Sequence, residues 1–600
     1  MPAPDPAIRI ALSRAVSVAL QHHRAGRTDQ AIAAYREALA LAPDLAEIHN
    51  NLGMMLQQKG DLAAAINQYR EAISFKPTLA EAHNNLAIAL RETGQLEAAV
   101  AAYRRTLELK PNFAGAWNNL GNVLIQTKQF DGAIEALQRA IAINPNLVEA
   151  HNNLGGALRK QGRLDEAIAA YRQAISLRAD FAVAHSNLGK ALLDQGKAGD
   201  AVAALERAVQ LQPPSAEALC DLAYALAAAE RASDAADACR KAQALEPNFI
   251  RAFNNLGIAL TKLGRHQEAI AAYRRAIELT PGDAQAHWNL AGVLLLLGDY
   301  RQGWAEFEWR RLTPALPALR SFSQPMWDGG DLNGKKILLH AEQGFGDSIQ
   351  FVRYVPLVLQ RGGKVIVECQ KELRRLFCGS DAIGAGRALG TDQIIAKGER
   401  LPEFDVQCSL LSLPLACGTS LDSIPAGVPY LWPDAALAQD WAQRLKGLGG
   451  LRVGLVWAGR AKPDPTRTAN LQDLAPLFEV NGVSWVLLQT GAAKDQAKRL
   501  PPGLTILDVA DQLGDFADTA AVIANLDLVI SIDTAAAHLA GAMAKPVFVM
   551  LPFAPSWRWL LDRDDSPWYP AMRLFRQVSP GDWLGVAQKV GRELREFRPQ

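Results

Sequence analysis

Apolar residues in the first half of the chain recur at helical spacing, broken at regular intervals by turn residues. Residues 80–111, AEAHNNLAIALRETGQLEAAVAAYRRTLELKP, show the unit: apolar positions three and four apart, Gly94 in the turn that ends a first helix, and Pro111 closing a second. Pro43, Pro77, Pro111, Pro145, Ala179, Pro213, Pro247 and Pro281 each stand 34 residues from the next, which predicts an array of stacked helical pairs. Beyond residue 315 the pattern changes. KKILLHAE, SIQFVRYVPLVLQRGG, KVIVECQ and KELRRLF alternate short apolar runs with helical ones. A second series runs through LRVGLVWAG, SWVLLQT, TILDVA, LDLVISID and KPVFVMLP. Strands alternating with helices predict parallel sheets covered by helices.

The expected fold class is therefore α plus α/β. A helical array of about eight to nine repeats over residues 12–315 precedes two Rossmann-like domains, 316–433 and 434–600, joined through the Pro-rich stretch Ile424 to Pro433. Charge refines this only by exclusion. With 63 basic and 62 acidic residues there is no electrostatic case for nucleic acid or an anionic membrane. The first residues lack the pattern of a secretory signal and no apolar run is long enough for a membrane span, so a cytoplasmic protein is expected. The six cysteines form no C-x-x-C pair and have no His at metal spacing, and are expected as buried free thiols. Oligomeric state is not legible.

Within the repeats, N-L-G in the first helix and A-x-x-x-Y in the second (Ala31 and Tyr35, Ala99 and Tyr103, Ala167 and Tyr171, Ala269 and Tyr273), with the closing Pro, resemble the tetratricopeptide (TPR) pattern. One column keeps the same register: Asn51, Asn85, Asn119, Asn153, Asn187, Asp221, Asn255 and Asn289. An amide both donates and accepts, so such a ladder suits either the backbone of an extended peptide or the bonding of one repeat to the next. The H-N-N-L-G units resemble those of O-linked N-acetylglucosamine transferases, whose array is a peptide-binding ladder. That resemblance implies acceptor-binding roles for Asn51, Asn85, Asn119, Asn153, Asn187, Asn255 and Asn289, with an interruption at Cys220-Asp221.

In sheets of this type ligands bind beyond the carboxyl ends of the strands, so the loops after the strands carry the candidate chemistry. In EQGFGDSIQF, Gly344 and Gly346 permit close backbone approach and Asp347 stands where a helix begins, as a cap or as a reacting carboxylate. A third Gly and a G-K-[ST] are missing, which argues against a dinucleotide site or P-loop. In ISIDTAAAHLAGAM a strand ends at Asp533. Thr534, Ala535 and Ala536 then open a helix with uncovered N–H groups suited to phosphate, and His538 follows one turn on. Arg460, Lys462 and Arg467 add cations in another such loop.

Together the two loops, G-D-x-I and D-T-x-x-x-H-L-A, resemble the heptosyltransferase-like glycosyltransferases of GT-B fold, although Ala535 stands where that family usually has Gly. In layout the chain is similar to bacterial TPR glycosyltransferases, some of which modify flagellins. The resemblance implies Asp347 as general base, with Gly344, Gly346, Arg460, Gln489, Asp533, Thr534, Ala535 and His538 on the donor side. The function it implies is transfer of a sugar from a nucleotide-sugar to Ser or Thr of a protein held by the array, without a metal or other cofactor. The D-x-D of Asp562 to Asp565 is expected to make loop hydrogen bonds, and Trp557, Trp559, Trp568 and Tyr569 either line the cleft or pack. Competing readings are an inactive scaffold and a transferase acting on a lipid-linked or polysaccharide acceptor.

Overall fold

The computed structural model describes residues 6–313, 320–342, 344–381, 391, 393–459, 465–500 and 503–599. The chain packs as two compact units, Met1–Ala252 and Phe253–Gln600. The first is helical throughout, from Pro6–Arg24 and Thr28–Leu41 to Ala216–Ala228 and Ala232–Leu245.

The TPR signature residues meet in these helical pairs. Tyr69 and Tyr171 are buried in second helices, against Gly53 and Gly155 of the first. A Cβ on Gly53 would lie 2.6 Å from the Tyr69 ring, so the glycine is there because the aromatic ring fills its space. The turn within each pair needs a left-handed residue. Gly60 supplies it at φ +89°, while Lys128 and Glu230 are forced to φ +60° and +61° where glycine is lacking.

The second unit begins inside the array. Its helices Ile250–Lys262, His266–Leu279, Ala284–Leu296 and Tyr300–Phe307 run up to a 3-10 turn, Glu308–Leu312. Tyr300, Trp304 and Phe307 then join the apolar core that contains Ile337, Leu339 and Phe351. Trp304 meets the ring of Trp557 at 5.1 Å and that of Phe351 at 6.3 Å. An ionic tie reinforces this packing. Arg310, fully buried, bonds both carboxylate oxygens of Glu342 at 3.0 and 2.8 Å, Glu308 at 2.6 Å and Ser412 at 2.7 Å. The last helical pair is thus part of the sheet region's core, which is why the packing boundary falls near residue 252 rather than near 315.

Among the described residues ten strands form two sheets. Strands β1 (Lys336–His340), β2 (Lys364–Cys369), β3 (Gln393–Ala396) and β4 (Val406–Ser409) pair in the order β3-β2-β1-β4, all parallel. Strands β5 (Leu451–Val456), β6 (Val483–Leu487), β7 (Ile506–Asp508), β8 (Leu528–Ile532), β9 (Val547–Leu551) and β10 (Met572–Arg576) pair as β10-β9-β8-β5-β6-β7, also parallel. The architecture is α plus α/β.

Strand order reverses between β1 and β4 in the first sheet and between β5 and β8 in the second. These are the topological switch points at which such sheets open a crevice for ligands. The two candidate loops follow β1 and β8. Their helices, Phe345–Phe351 and Ala535–Ala542, pack on each other, and Gly346 makes this possible: a Cβ there would stand 3.0 Å from the His538 ring.

Three strands are not marked in sequence: β4 and β10, VQCS and MRLFR, interleave polar residues, and β3 is only the four residues QIIA. The single helix expected from SIQFVRYVPLVLQ is three short pieces, Phe345–Phe351, Val352–Tyr354 and Val355–Gln360. Pro356 lacks the N–H needed to continue the first piece and instead opens the last. Of the cysteines, Cys378 is exposed and Cys417 half-buried, while Cys220, Cys239, Cys369 and Cys408 are buried free thiols.

Candidate functional site

A cleft of about 1440 Å³ opens between the carboxyl ends of the two sheets. It is lined by Gly344, Gly346 and Asp347 from the loop after β1, and by Asp533, Thr534, Ala535, Ala536 and His538 after β8. Arg467, Gln489 and Arg558 complete that wall, so distant sequence segments converge on one chamber.

Asp347 occupies the first turn of its helix. Its Oδ2 accepts the N–H of Gly344 at 3.1 Å, and its Oδ1 pairs with Nη2 of Arg558. The carboxylate is therefore both a helix cap and one half of an ion pair facing the cleft. Arg558 is held from three further sides: Nε donates to Gln350 Oε1 at 2.8 Å, Nη1 to Ser556 Oγ at 3.3 Å, and the guanidinium lies 4.3 Å over the Trp557 ring.

Across the cleft Thr534 caps the helix Ala535–Ala542 with extended backbone and no side-chain bond into the helix; its hydroxyl pairs with Ser531 at 2.8 Å. The first N–H groups of that helix have no partner within it, and Ala535 and Ala536 line the cleft beside them. Behind them sits Asp533. Burial would raise its pKa, but the neighbouring His538 ring and the charges of Arg558 and Arg467 prevail and hold it at about 2. Arg467 Nη1 lies 3.7 Å from Asp533 Oδ2.

His538 is buried, and desolvation lowers its pKa against the pull of Asp533. The imidazole is accordingly neutral at pH 7. Nδ1 bonds the Tyr569 hydroxyl at 3.0 Å, Nε2 faces Asp533 at 3.7 Å, and the ring stacks on Trp559. Arg353 Nη2 donates to Tyr430 at 2.7 Å, and Tyr430 stands 3.5 Å from Tyr569, so His538 ends a buried polar chain.

Gln489 lines the cleft, but its amide is fully engaged by backbone. Oε1 accepts from the N–H groups of Trp457 and Ala458 at 3.0 and 2.8 Å, and Nε2 donates to the carbonyls of Ala458 and Thr490 at 3.1 and 2.9 Å. Gln489 thus fastens the loop after β5 to the loop after β6. Arg460 and Lys462 lie outside the described residues. Trp559, Trp568 and Tyr569 are fully buried in the core. Asp565 pairs with Arg563 at 2.7 and 2.6 Å, a loop interaction.

The first-domain wall holds residues the sequence did not signal. His340 bonds Gln407 at 3.0 Å with its pKa lowered by burial, and buried Glu368 meets Arg320 at 2.5 Å. Glu342 stands beside them under Arg310. The residue most clearly missed is Arg558: Trp557 and Trp559 flank it as conspicuous aromatics, and the cation between them was the available signal.

In the array the asparagines bond one another. Nδ2 of Asn85 donates to Asn50, of Asn153 to Asn118, of Asn187 to Asn152, and of Asn289 to Asn254, at 2.9–3.0 Å. Each rung joins the column Asn of one repeat to the Asn just before the column in the preceding repeat, so the amide donors of these four serve stacking. Asn51 stands near the Tyr35 hydroxyl, which His23 Nδ1 bonds at 2.9 Å, and Asn255 is half-buried. No rung joins Asn119 to Asn84, whose Oδ1 is buried without a partner among the described residues. At Asp221 a carboxylate replaces the amide, held by Lys190 at 2.7 Å and Arg251 at 2.6 Å.

A TPR family model matches residues 20–60 and 259–298, and the model of the cilia and flagella-associated protein 70 C-terminal domain matches 46–252. The glycosyltransferase family 9 (heptosyltransferase) model matches 469–551, which contains Gln489 and Asp533 through His538 but neither Asp347 nor Arg558. Protein FlbA of Caulobacter vibrioides is 28% identical over 316 residues, covering 49% of this chain and 52% of FlbA; the match thus spans about half of that relative's length. Among solved structures, MamA is 28% identical over 28% of this chain and 92% of its own, with a TM-score of 0.27. YrrB, described as a TPR protein with an unusual peptide-binding site, is 23% identical over 30% of this chain and 92% of its own, with a TM-score of 0.27. The chain carries tetratricopeptide repeats in its N-terminal half and, toward its C-terminus, a glycosyltransferase family 9 (heptosyltransferase) domain.

Proposed function

We propose that this chain is a glycosyltransferase that moves a sugar from a nucleotide-sugar to a Ser or Thr hydroxyl of a protein acceptor engaged by its repeats, flagellin being the acceptor class suggested by its layout. The observation that carries the reading is the convergence, in one cleft, of Asp347 after β1 and the helix N-terminus after β8. The helix N-terminus and the cations Arg467 and Arg558 suit the donor's phosphate, and Asp347 suits the acceptor hydroxyl.

In the reaction the hydroxyl oxygen attacks the anomeric carbon while the bond from that carbon to the phosphate oxygen breaks. The electron pair leaves with the nucleotide, and the hydroxyl proton passes to Asp347. The helix dipole and the two arginines stabilise the departing phosphate, so the charge that develops meets preorganised donors. The half-buried amide of Asn119, outside the rungs, is the ladder position best placed to meet an acceptor backbone.

The test uses the full-length protein. Thermal unfolding with CMP, UDP, GDP and ADP in turn identifies the nucleotide, since a ligand at about 100 times its Kd stabilises its site by about 2.7 kcal/mol. Release of that nucleotide from candidate sugar donors is then followed with and without acceptor protein. Asp347→Asn is expected to lower release by about 10²-fold or more while nucleotide binding survives. Unchanged turnover in that variant removes Asp347 as the base, and turnover with a glycan acceptor alone removes the protein acceptor.

A further inference from the structure

Arg558 links the two halves of the cleft, and the chemistry above gives it two competing partners. Its Nη2 pairs with Asp347 Oδ1, and it stands close enough to Asp533 and His538 to act on the ionisation of both. It is side-chain exposed by only 15% and its partner Asp347 by 18%, so the pair is shielded yet open to the cleft. A carboxylate oxygen paired with a guanidinium is a weaker base toward a hydroxyl proton than a free one.

We propose that Arg558 is a phosphate ligand of the donor and that it masks Asp347 until the donor binds. The proposal rests on the transferase reading of the same cleft. A phosphate at the N-terminus of the helix Ala535–Ala542 offers the guanidinium several anionic oxygens in place of one carboxylate oxygen, and paired N–H donors match that geometry. Its hold through Nη1 is loose, the bond to Ser556 being 3.3 Å long, whereas Nε keeps a 2.8 Å bond to Gln350 about which the outer nitrogens can swing. Arg558 turns on its Trp557 platform toward the phosphate, Asp347 is released toward the acceptor hydroxyl, and the base is armed only when a leaving group is in place. In the transfer the new bond joins the acceptor oxygen to the anomeric carbon, the old bond to phosphate oxygen breaks with its electron pair, and the proton moves to the freed Asp347 oxygen. Donor therefore binds before acceptor.

The experiment is a double-mutant cycle on the full-length protein, with nucleotide affinity measured calorimetrically for UDP, GDP, ADP and CMP. For the nucleotide that binds the wild type, Arg558→Gln is expected to weaken binding by about tenfold or more, and Arg558→Lys, which keeps the charge without the fork, by less. Asp347→Asn is expected to tighten binding, because Arg558 no longer has a carboxylate to leave. The discriminating value is the coupling: the tightening caused by Asp347→Asn is larger with Arg558 present than in the Arg558→Gln background. Equal tightening in both backgrounds shows simple repulsion between Asp347 and phosphate and overturns the masking. Equal affinity of wild type and Arg558→Gln overturns the phosphate role. If no nucleotide binds the wild type, the donor-site reading falls and this proposal with it, an outcome distinct from the other two.

Discussion

At the scale of single residues, the sites where a side chain would intrude explain more than the sites where one is present. Gly346 lies between Asp347 and the helix that bears His538, and a Cβ there would meet the His538 ring at 3.0 Å. Gly346→Val is therefore expected to destabilise the second unit by about 1–3 kcal/mol through overpacking. It should also weaken nucleotide binding, because the helix N-terminus is displaced. Urea unfolding and nucleotide titration of the same variant check both effects, and a variant as stable as wild type would show that the two helices do not meet this closely. The sequence marked Gly346 as a place of close approach, but it could not say that the approaching group is a histidine of the other domain.

At the scale of elements, the tie between the 3-10 turn Glu308–Leu312 and the first sheet is the most consequential contact. Arg310 is fully buried, and its charge is matched by Glu342 and Glu308. Burial would raise the pKa of Glu342, but Arg310 overcomes it and the carboxyl is held below its usual 4.5. Arg310→Ala strands a buried carboxylate and is expected to cost about 3–5 kcal/mol at pH 7. Because the folded pKa is depressed, the pair's contribution is complete above about pH 4.5 and is lost as pH falls through the lower folded value. The gap between wild type and Arg310→Ala in urea unfolding should therefore narrow from pH 7 to pH 3.5. A gap of constant size would mean that Glu342 is not the group Arg310 neutralises. Sequence periodicity placed the last helical pair correctly but treated it as the end of an array, because the partners of Arg310 lie 32 and 102 residues further on.

At the scale of the molecule, the repeats and the sheets are not separable at residue 315. Tyr300, Trp304, Phe307 and Arg310 belong to the core shared with β1 and the helix after it. A fragment of residues 253–600 is expected to fold cooperatively, whereas one of residues 316–600 loses that wall of its core and is expected to be insoluble or molten. Circular dichroism and near-ultraviolet spectra of the two fragments decide it, and a well-folded 316–600 fragment would show that the last repeats are dispensable to the sheets. This also sets the fair design for asking whether the array recruits the acceptor: the cut belongs after Ala252, not after residue 315.

What the sequence alone determined was whatever repeats or runs locally: the 34-residue ruler, the helical pairs, and the strands with continuous apolar runs such as β1, β2, β8 and β9. It also marked the two loops that line the cleft, since glycines and small residues beside an Asp are local signals of backbone exposure. The tertiary structure decided the rest, because the deciding partners are remote in the chain. Arg558 reaches Asp347 across 211 residues, and short strands such as β4 are defined by the neighbours that pair with them rather than by their own composition. The Asn column shows the division within a single residue type: its period is visible in sequence, but only the packed repeats reveal that one amide of each pair is turned toward the repeat before it. Local periodicity fixes an element's face, whereas the choice among possible partners for a polar group depends on which faces meet.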